Sequence, residues 1–397
     1  MSSNTRVSVT GCCLVDRLYR HISFNDHEFI PYLSKKKGDG GLTPGQLVFK
    51  EEFEDYCKEK LDHVLKKITK GKEPDKKNIG GPGIVPLIHA SQMLESTGTE
   101  CRFYGRGGKD DDGKFIVSLL KQMNLSADNY YLSGSTTPST IVLSDPHYDK
   151  GHGERIFINS IGEAWNYSPD NLDDDFFSSD VVVFGGTAIV PAIHDNLTEL
   201  LIKAKSNNCL TIVNTVYDFR NEKKDPVKKW PLGKSDDSYE NTDLLITDLE
   251  EALRLSGKNS IQEAMNFFYE LGTGAVLITN GPNNLRGFSS SNSVFLEKEE
   301  INMPVSHAIS EELRKGHSGD TTGCGDNFVG GVIANIISQI QKKDKIPLDL
   351  TEACAWGIVS GGFSCFYMGG TFFEEKFGEK RELIIPYYEK YLKQIRF

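Results

Sequence analysis

The sequence predicts an α/β chain built on a parallel sheet with helices on both faces, and three observations lead there. Short apolar runs at 181–185, 210–214, 244–247 and 275–279 are separated by segments of helical spacing, among them 196–206 and 261–271. Runs of that length suit strands buried on both faces, and their alternation with helices argues for βαβ units. From about 327 onward, Phe328, Val332, Ile333, Ile336, Ile337 and Ile340 repeat at helical spacing, the strongest helix pattern in the chain. A length of 397 residues, 38% hydrophobic and 25% charged, is within reach of one large α/β unit carrying insertions, so 1–397 is read as a single domain.

Taken in order, residues 7–16 read as a first buried strand ending in Asp16. Ligands of open α/β sheets gather at the carboxyl ends of strands, which places Asp16 to hold a polar ligand, with a turn acid as the alternative. Composition then changes between 27 and 78. Residues 35–45 are a polar loop rich in Gly and Lys, and 38–41 within it read as a flexible turn. Residues 49–70 read as one amphipathic helix with Phe53, Cys57, Leu61, Val64, Leu65 and Ile68 on one side. This segment is expected to form part of a lid or a dimer surface. Gly80, Gly81 and Gly83 mark a Gly-rich turn into a helix, with Pro82 tolerated at its start. His89, further along, reads as a packed or surface residue. Residues from 102 give a strand and polar loop, 115–123 a helix, and 140–143 and 155–158 two strands around a polar turn. A helix over 350–368 carries Gly, Ala and Ser that allow close packing.

Two later strand ends carry polar groups. Asp248 and Glu251 follow a strand directly, and carboxylates so placed suit Mg²⁺ beside phosphates, or an N-cap with first-turn acids. Arg220, beyond the strand ending near Asn214, is expected to neutralise a phosphate or another anion, or to be a surface charge.

A formal net charge of -11 argues against a broad nucleic-acid or anionic-membrane surface. Residues 7–15 are only partly apolar and Asp16 and Arg17 follow at once, so no signal peptide or membrane segment is expected. The 8 cysteines show no Cys-x-x-Cys pair and no metal spacing, which fits a reduced, cytoplasmic protein.

The stretch with the most chemistry is Asp320-Thr321-Thr322-Gly323-Cys324-Gly325-Asp326, just before the strongest helix. Gly323 and Gly325 let the backbone turn tightly, and a helix start with bare N–H groups and a positive dipole end is an anion site. Asp326 sits at that start, placed to take a proton, to cap the helix, or both. Gly330 and Gly331 weaken the helix that follows and need a packing or functional reason.

This stretch resembles the second signature of the ribokinase-like, PfkB-type carbohydrate kinases, D-T-x-G-A-G-D-x-F-x-x-G, with Asp320, Thr321, Gly323, Gly325, Asp326, Phe328 and Gly331 matching and Cys324 in place of Ala. Gly80 and Gly81 resemble the start of the first signature, G-G-x-x-x-N, where Val85 stands in place of Asn. Gly105, Gly108, Asp110 and Gly113 resemble G-x-V-G-x-D-x-x-G, Asp248 to Glu251 the N-x-x-E, and Thr279 to Gly281 the T-x-G that borders the nucleotide. The resemblance implies a Rossmann-like three-layer α/β/α fold with a small β lid, made from elements within about 16–79 and 137–160. It implies ATP-dependent phosphorylation of a sugar hydroxyl, with Asp326 as base and the N–H groups at Gly323, Cys324, Gly325 and Asp326 holding the phosphoryl charge. Asp16, Gly80 and Gly81 would bind the sugar. Asp248, Thr279, Gly281 and Arg220 would border the nucleotide. Glu251 and Asp248 would hold Mg²⁺ directly or through water, and a monovalent cation such as K⁺ would lie near Asp320. The substrates are then a sugar and ATP. A nucleoside kinase is the alternative, and a non-catalytic sensor a further one.

Overall fold

The computed structural model describes residues 5–36, 38–151, 153–316, 319–342 and 347–396. In chain order its strands are β1 (Arg6–Gly11), β2 (Leu14–Tyr19), β3 (Leu47–Phe49), β4 (Lys76–Gly80), β5 (Glu100–Gly107), β6 (Ser126–Leu132) and β7 (Ser139–Asp145). They continue as β8 (Glu154–Ser160), β9 (Val181–Gly185), β10 (Leu210–Asn214), β11 (Leu244–Asp248), β12 (Ala275–Thr279), β13 (Leu285–Ser289) and β14 (Lys298–Met303). They form a 9-stranded sheet, ordered β14-β13-β12-β11-β10-β9-β1-β5-β6, and a 5-stranded sheet, ordered β3-β8-β7-β2-β4. The large sheet is parallel from β12 to β6, with β13 and β14 antiparallel at one edge.

Alternation along the central strands makes three layers. Val181 and Val183 of β9, with Ile212, Leu244 and Leu277, point into a core shared with helices Ile84–Met93, Cys324–Gln341 and Leu350–Ser364. Val182 and Phe184, with Val213, Leu245 and Val276, point into a second core under helices Leu197–Ser206, Leu249–Ser256 and Ile261–Glu270. Strands buried on both faces read as continuous apolar runs for this reason. The packing reason for Gly330 and Gly331 is also visible. A Cβ on Gly330 would lie 2.7 Å from Pro86 O, and one on Gly331 2.8 Å from Trp356 O, so both glycines let neighbouring helices approach.

Three expectations need correction. Residues 7–16 are two strands in two sheets. At Gly11 the backbone takes φ +136, where a Cβ would collide with Gly185 O at 1.8 Å, and the chain leaves the large sheet through Cys12 and Cys13 to start β2 in the small one. Asp16 therefore lies in mid-strand, opposite Asn78 and Thr140. The helix expected over 49–70 is broken. Lys50–Cys57 ends at Lys58 in a left-handed conformation, and Leu61–Ile68 follows. The loop at 38–41 is a fixed turn, with the Asp39 carboxylate accepting from the N–H groups of Lys35, Lys36 and Gly41.

The hairpin β7–β8 does belong to the small sheet. The segment between β2 and β4 packs on it. Phe24, Phe29, Tyr32, Phe53, Val64 and Ile68 bury against Ile141, Leu143, Ile156 and Ile158, forming a third core that covers one face of this sheet with the chain's own residues. Among the described residues, no helix is long and apolar enough to cross a membrane.

Candidate active site

The loop 319–323 and the first turn of helix Cys324–Gln341 sit beside the crossing from the large sheet to the small one. Asp320 shapes the loop by accepting from the Thr322 N–H at 2.8 Å. Gly323 has φ +77, and a Cβ on it would stand 2.4 Å from the Cα of Gly370, so conformation and space both require glycine. Gly325 differs. Its φ is ordinary, it is exposed, and a Cβ there would meet nothing within 4 Å. Glycine at 325 keeps open the space over the first turn, where backbone N–H groups lack partners within the helix. The Asn327 N–H is satisfied by Gly323 O at 2.9 Å, and the Cys324 N–H makes a long 3.4 Å contact to Thr321 O.

Asp326 lies in this first turn, and burial pushes its carboxyl up to about 7. Asp16, only 6% exposed, is pushed up to about 8, first by burial and then by the charges of Asp326 and Asp320. The charges of Asp326 and Asp320 thus reach Asp16 at the crossing. Gly80 makes room for the arrangement, since a Cβ there would fall 1.9 Å from Asp16 Oδ2. Gly81 and Gly83 serve backbone packing, as a Cβ on either would lie under 3 Å from Cys12 O.

Behind Asp326, Asn327 is a buried hub. Its Nδ2 donates to Gly323 O and Gly370 O, each at 2.8 Å, tying the loop 319–323 to the loop at 365–372. Its Oδ1 accepts from Lys380 Nζ at 2.8 Å and Tyr367 OH at 3.1 Å, and lies 2.9 Å from His89 Nδ1. Lys380 is 1% exposed, and burial brings its ammonium down to about 7. His89 is thus a packed residue, also 2.9 Å from Ser360 Oγ. From the small sheet, Arg155 of β8 donates to Thr322 Oγ1 at 3.0 Å, bridging that sheet and the loop.

A second acidic corner lies at the ends of β11 and β12, where Asp248 pairs with Thr279. Asp248 Oδ1 accepts from the Glu251 N–H at 2.8 Å, an N-cap that leaves Oδ2 for other work. Glu251 is buried, accepts from Thr215, and is pushed up to about 8 by burial and by Asp248. Two facing carboxylates, one buried, suit a divalent cation that keeps several waters. Among the described residues no group of three His, Cys, Asp or Glu side chains is arranged to hold a metal. Gly281, with open space around it, ends this edge. The Arg220 guanidinium forms a bidentate pair with the Asp195 carboxylate.

A sequence profile described as pfkB family carbohydrate kinase matches residues 75–376. The chain belongs to the pfkB family. Its fold is that of the ribokinase-like kinases. An adenosine kinase from Schistosoma mansoni, solved with 2-fluoroadenosine, superposes with a TM-score of 0.68 at 15% identity, covering 93% of this chain and 97% of that one. A ribokinase from Thermotoga maritima gives 0.61 at 16% identity, covering 97% and 99%. An adenosine kinase from Sinorhizobium meliloti gives 0.66 at 14%, covering 96% and 99%. The pfkB match begins within the segment between β2 and β4, so most of that segment lies outside it. Val85, where the family signature has Asn, is buried and faces Gly370, so that a Cβ on Gly370 would stand 3.3 Å from its Cγ2. Sequence reasoning did not single out Asn327, Lys380, Tyr367 or Arg155. Only Arg155 had a local signal, as the polar residue opening the strand read at 155–158.

Proposed function

We propose that this pfkB kinase transfers the terminal phosphoryl group of ATP to a hydroxyl of a sugar or sugar derivative. The observation that carries the reading is Asp326, held near 7 by burial, in the same helical turn as the open, unpacked face of Gly325. A carboxylate with that affinity takes a hydroxyl proton near neutrality, and unpaired N–H groups beside it receive the charge on the moving phosphoryl. Asp16 would accept from the acceptor's hydroxyls across the crossing. Asp248 and Glu251 would hold Mg²⁺, which when bound offsets the charge of the phosphates. Asp320, already shaping the loop, would lie beside a monovalent cation. Arg155 would draw the small sheet over the loop and exclude water, which limits hydrolysis.

The test is ADP release with Mg-ATP against sugars, sugar acids and nucleosides, with Asp326→Asn alongside. A sugar-dependent signal lost in the variant supports the reading, and a variant that keeps full turnover rejects Asp326 as base. A nucleoside kinase is the second reading. Val85, in place of the usual Asn, and the segment between β2 and β4 keep it open, and a signal confined to nucleosides would establish it.

A further inference from the structure

Cys324 and Cys365 are 41 residues apart in sequence, yet their sulfurs are 3.2 Å apart. Cys324 is the first residue of the catalytic helix, and Cys365 caps the C-terminus of helix Leu350–Ser364. All eight cysteines are free, and among the described residues this is the one pair of sulfurs in hydrogen-bond contact. Both residues are half-buried. Ser364 Oγ donates to Cys324 Sγ at 3.2 Å, and Arg155 lies close enough to act on both thiols. The contact with Cys324 holds Cys365 below the usual thiol range, with Arg155 adding to the effect; burial and the Asp320 carboxylate oppose them. Cys365 is therefore the better nucleophile of the two.

We propose that Cys324 and Cys365 are a modification site for hydroperoxides, at which an intrachain disulfide forms and switches the catalytic loop off. The Cys365 thiolate attacks one peroxide oxygen. The O–O bond breaks, and with hydrogen peroxide one water leaves and Cys365 becomes a sulfenic acid. Cys324 then attacks that sulfur, the S–O bond breaks, and a second water leaves with the Cys324 proton. Two thiols lose two electrons and one peroxide gains them. The sulfurs must close from 3.2 Å to roughly 2.0 Å, a movement of the order of 1 Å. That movement displaces the first residue of the catalytic helix, and with it the N–H groups of the turn that carries Asp326. The thiol that Ser364 now holds is consumed, so the loop cannot relax back until the bond is reduced.

The switch rests on the proposed kinase activity, but the bond does not. Full-length protein is treated with hydrogen peroxide in modest excess, then read by intact mass, by tryptic peptides and by turnover, with Cys365→Ser alongside. The expected result is a loss of two hydrogens, a linked peptide joining Cys324 to Cys365, and turnover lowered by about tenfold or more in proportion to the linked fraction. Dithiothreitol restores it, and Cys365→Ser keeps its basal turnover through the same treatment. Absence of the linked peptide overturns the proposal. So does a linked enzyme of unchanged turnover, or a Cys365→Ser variant inactivated as fast as wild type. A chain that phosphorylates no acceptor fails the proposed function instead, while the mass result still decides whether the bond forms.

Discussion

The loop at 319–326 and the covered face of the small sheet are built on opposite principles. Around Phe53, aromatic and aliphatic side chains from the segment between β2 and β4 bury against Ile141, Leu143, Ile156 and Ile158, and every such contact favours folding. Around Asp326, two buried carboxyls, Asp16 and Asp326, are held well above their ordinary value, and a glycine leaves open space that a side chain could fill. That arrangement opposes folding. It persists because the surrounding structure over-determines it, through Asn327 below and the close crossing of Gly11, Gly80 and Gly185 beside it. One region supplies stability that the other consumes, so substitutions in the two should move activity and stability in opposite ways.

The largest effect is expected for Asp326→Asn, which should lower turnover by about 10²–10⁴-fold, the usual range for a positioned base. Its melting temperature should hold or rise, since a buried carboxylate is replaced by a neutral amide. A variant that lost both activity and stability would break the contrast. Phe53→Ala is the mirror experiment. Phe53 is fully buried, and its truncation should cost about 3–5 kcal/mol in urea unfolding while the folded fraction keeps its kcat. A cost under about 1 kcal/mol would mean that this third core does not hold the lid.

The two glycines of the loop sharpen the comparison. Gly323→Ala should destabilise by roughly 1–3 kcal/mol, because it meets a left-handed backbone and the Gly370 backbone together. Gly325→Ala should leave stability within about 0.5 kcal/mol, or raise it slightly. It should nonetheless lower turnover by about tenfold or more, by placing a methyl where the phosphoryl group is received. Equal behaviour of the two variants would remove the distinction between a glycine the fold needs and one the chemistry needs.

The smallest effect concerns pH. Asp16 and Asp326 bind protons more tightly in the folded chain than in the unfolded one, with values near 8 and 7 against an ordinary 3.8. Their contribution to stability is therefore fully present below about pH 4 and is lost as pH rises through 7 to 8. Asp16→Asn should remove part of that loss, so its melting temperature should gain on wild type by a few degrees, roughly 2–4 °C, at pH 8.5 and by less at pH 5. Turnover of the wild type, in contrast, should rise as pH passes about 7 and Asp326 ionises. Parallel pH profiles for stability and turnover would contradict the assignment.

Much of this molecule was legible in advance, for reasons that differ by region. The central strands announced themselves because burial on both faces requires continuous apolar runs, as at 181–185 and 275–279. The loop from Asp320 to Asp326 stood out because glycines, hydroxyls and a carboxylate lie together in one short stretch of chain. The misreadings came where a local pattern met a distant constraint. The apolar run at 7–16 concealed a change of sheet, since Gly11 turns there only because Gly185 lies against it. The periodicity of 49–70 continued through Lys58, although the chain itself breaks there to wrap the small sheet. Arg220 had no local mark of its partner Asp195, and Lys380 none of its place beneath Asn327.

By itself, the sequence determined the central strands of the large sheet and the helix that follows the loop at 320–326. Those depend on periodicity and spacing over a few turns of chain, which short segments carry in full. Only the tertiary structure decided that the charges of Asp326 and Asp320 reach Asp16, that Arg155 reaches Thr322, and that Cys324 touches Cys365. Each of these pairs joins separate elements of the chain, and their meeting depends on how closely backbones pass at the crossing between the two sheets, a distance that no local pattern records.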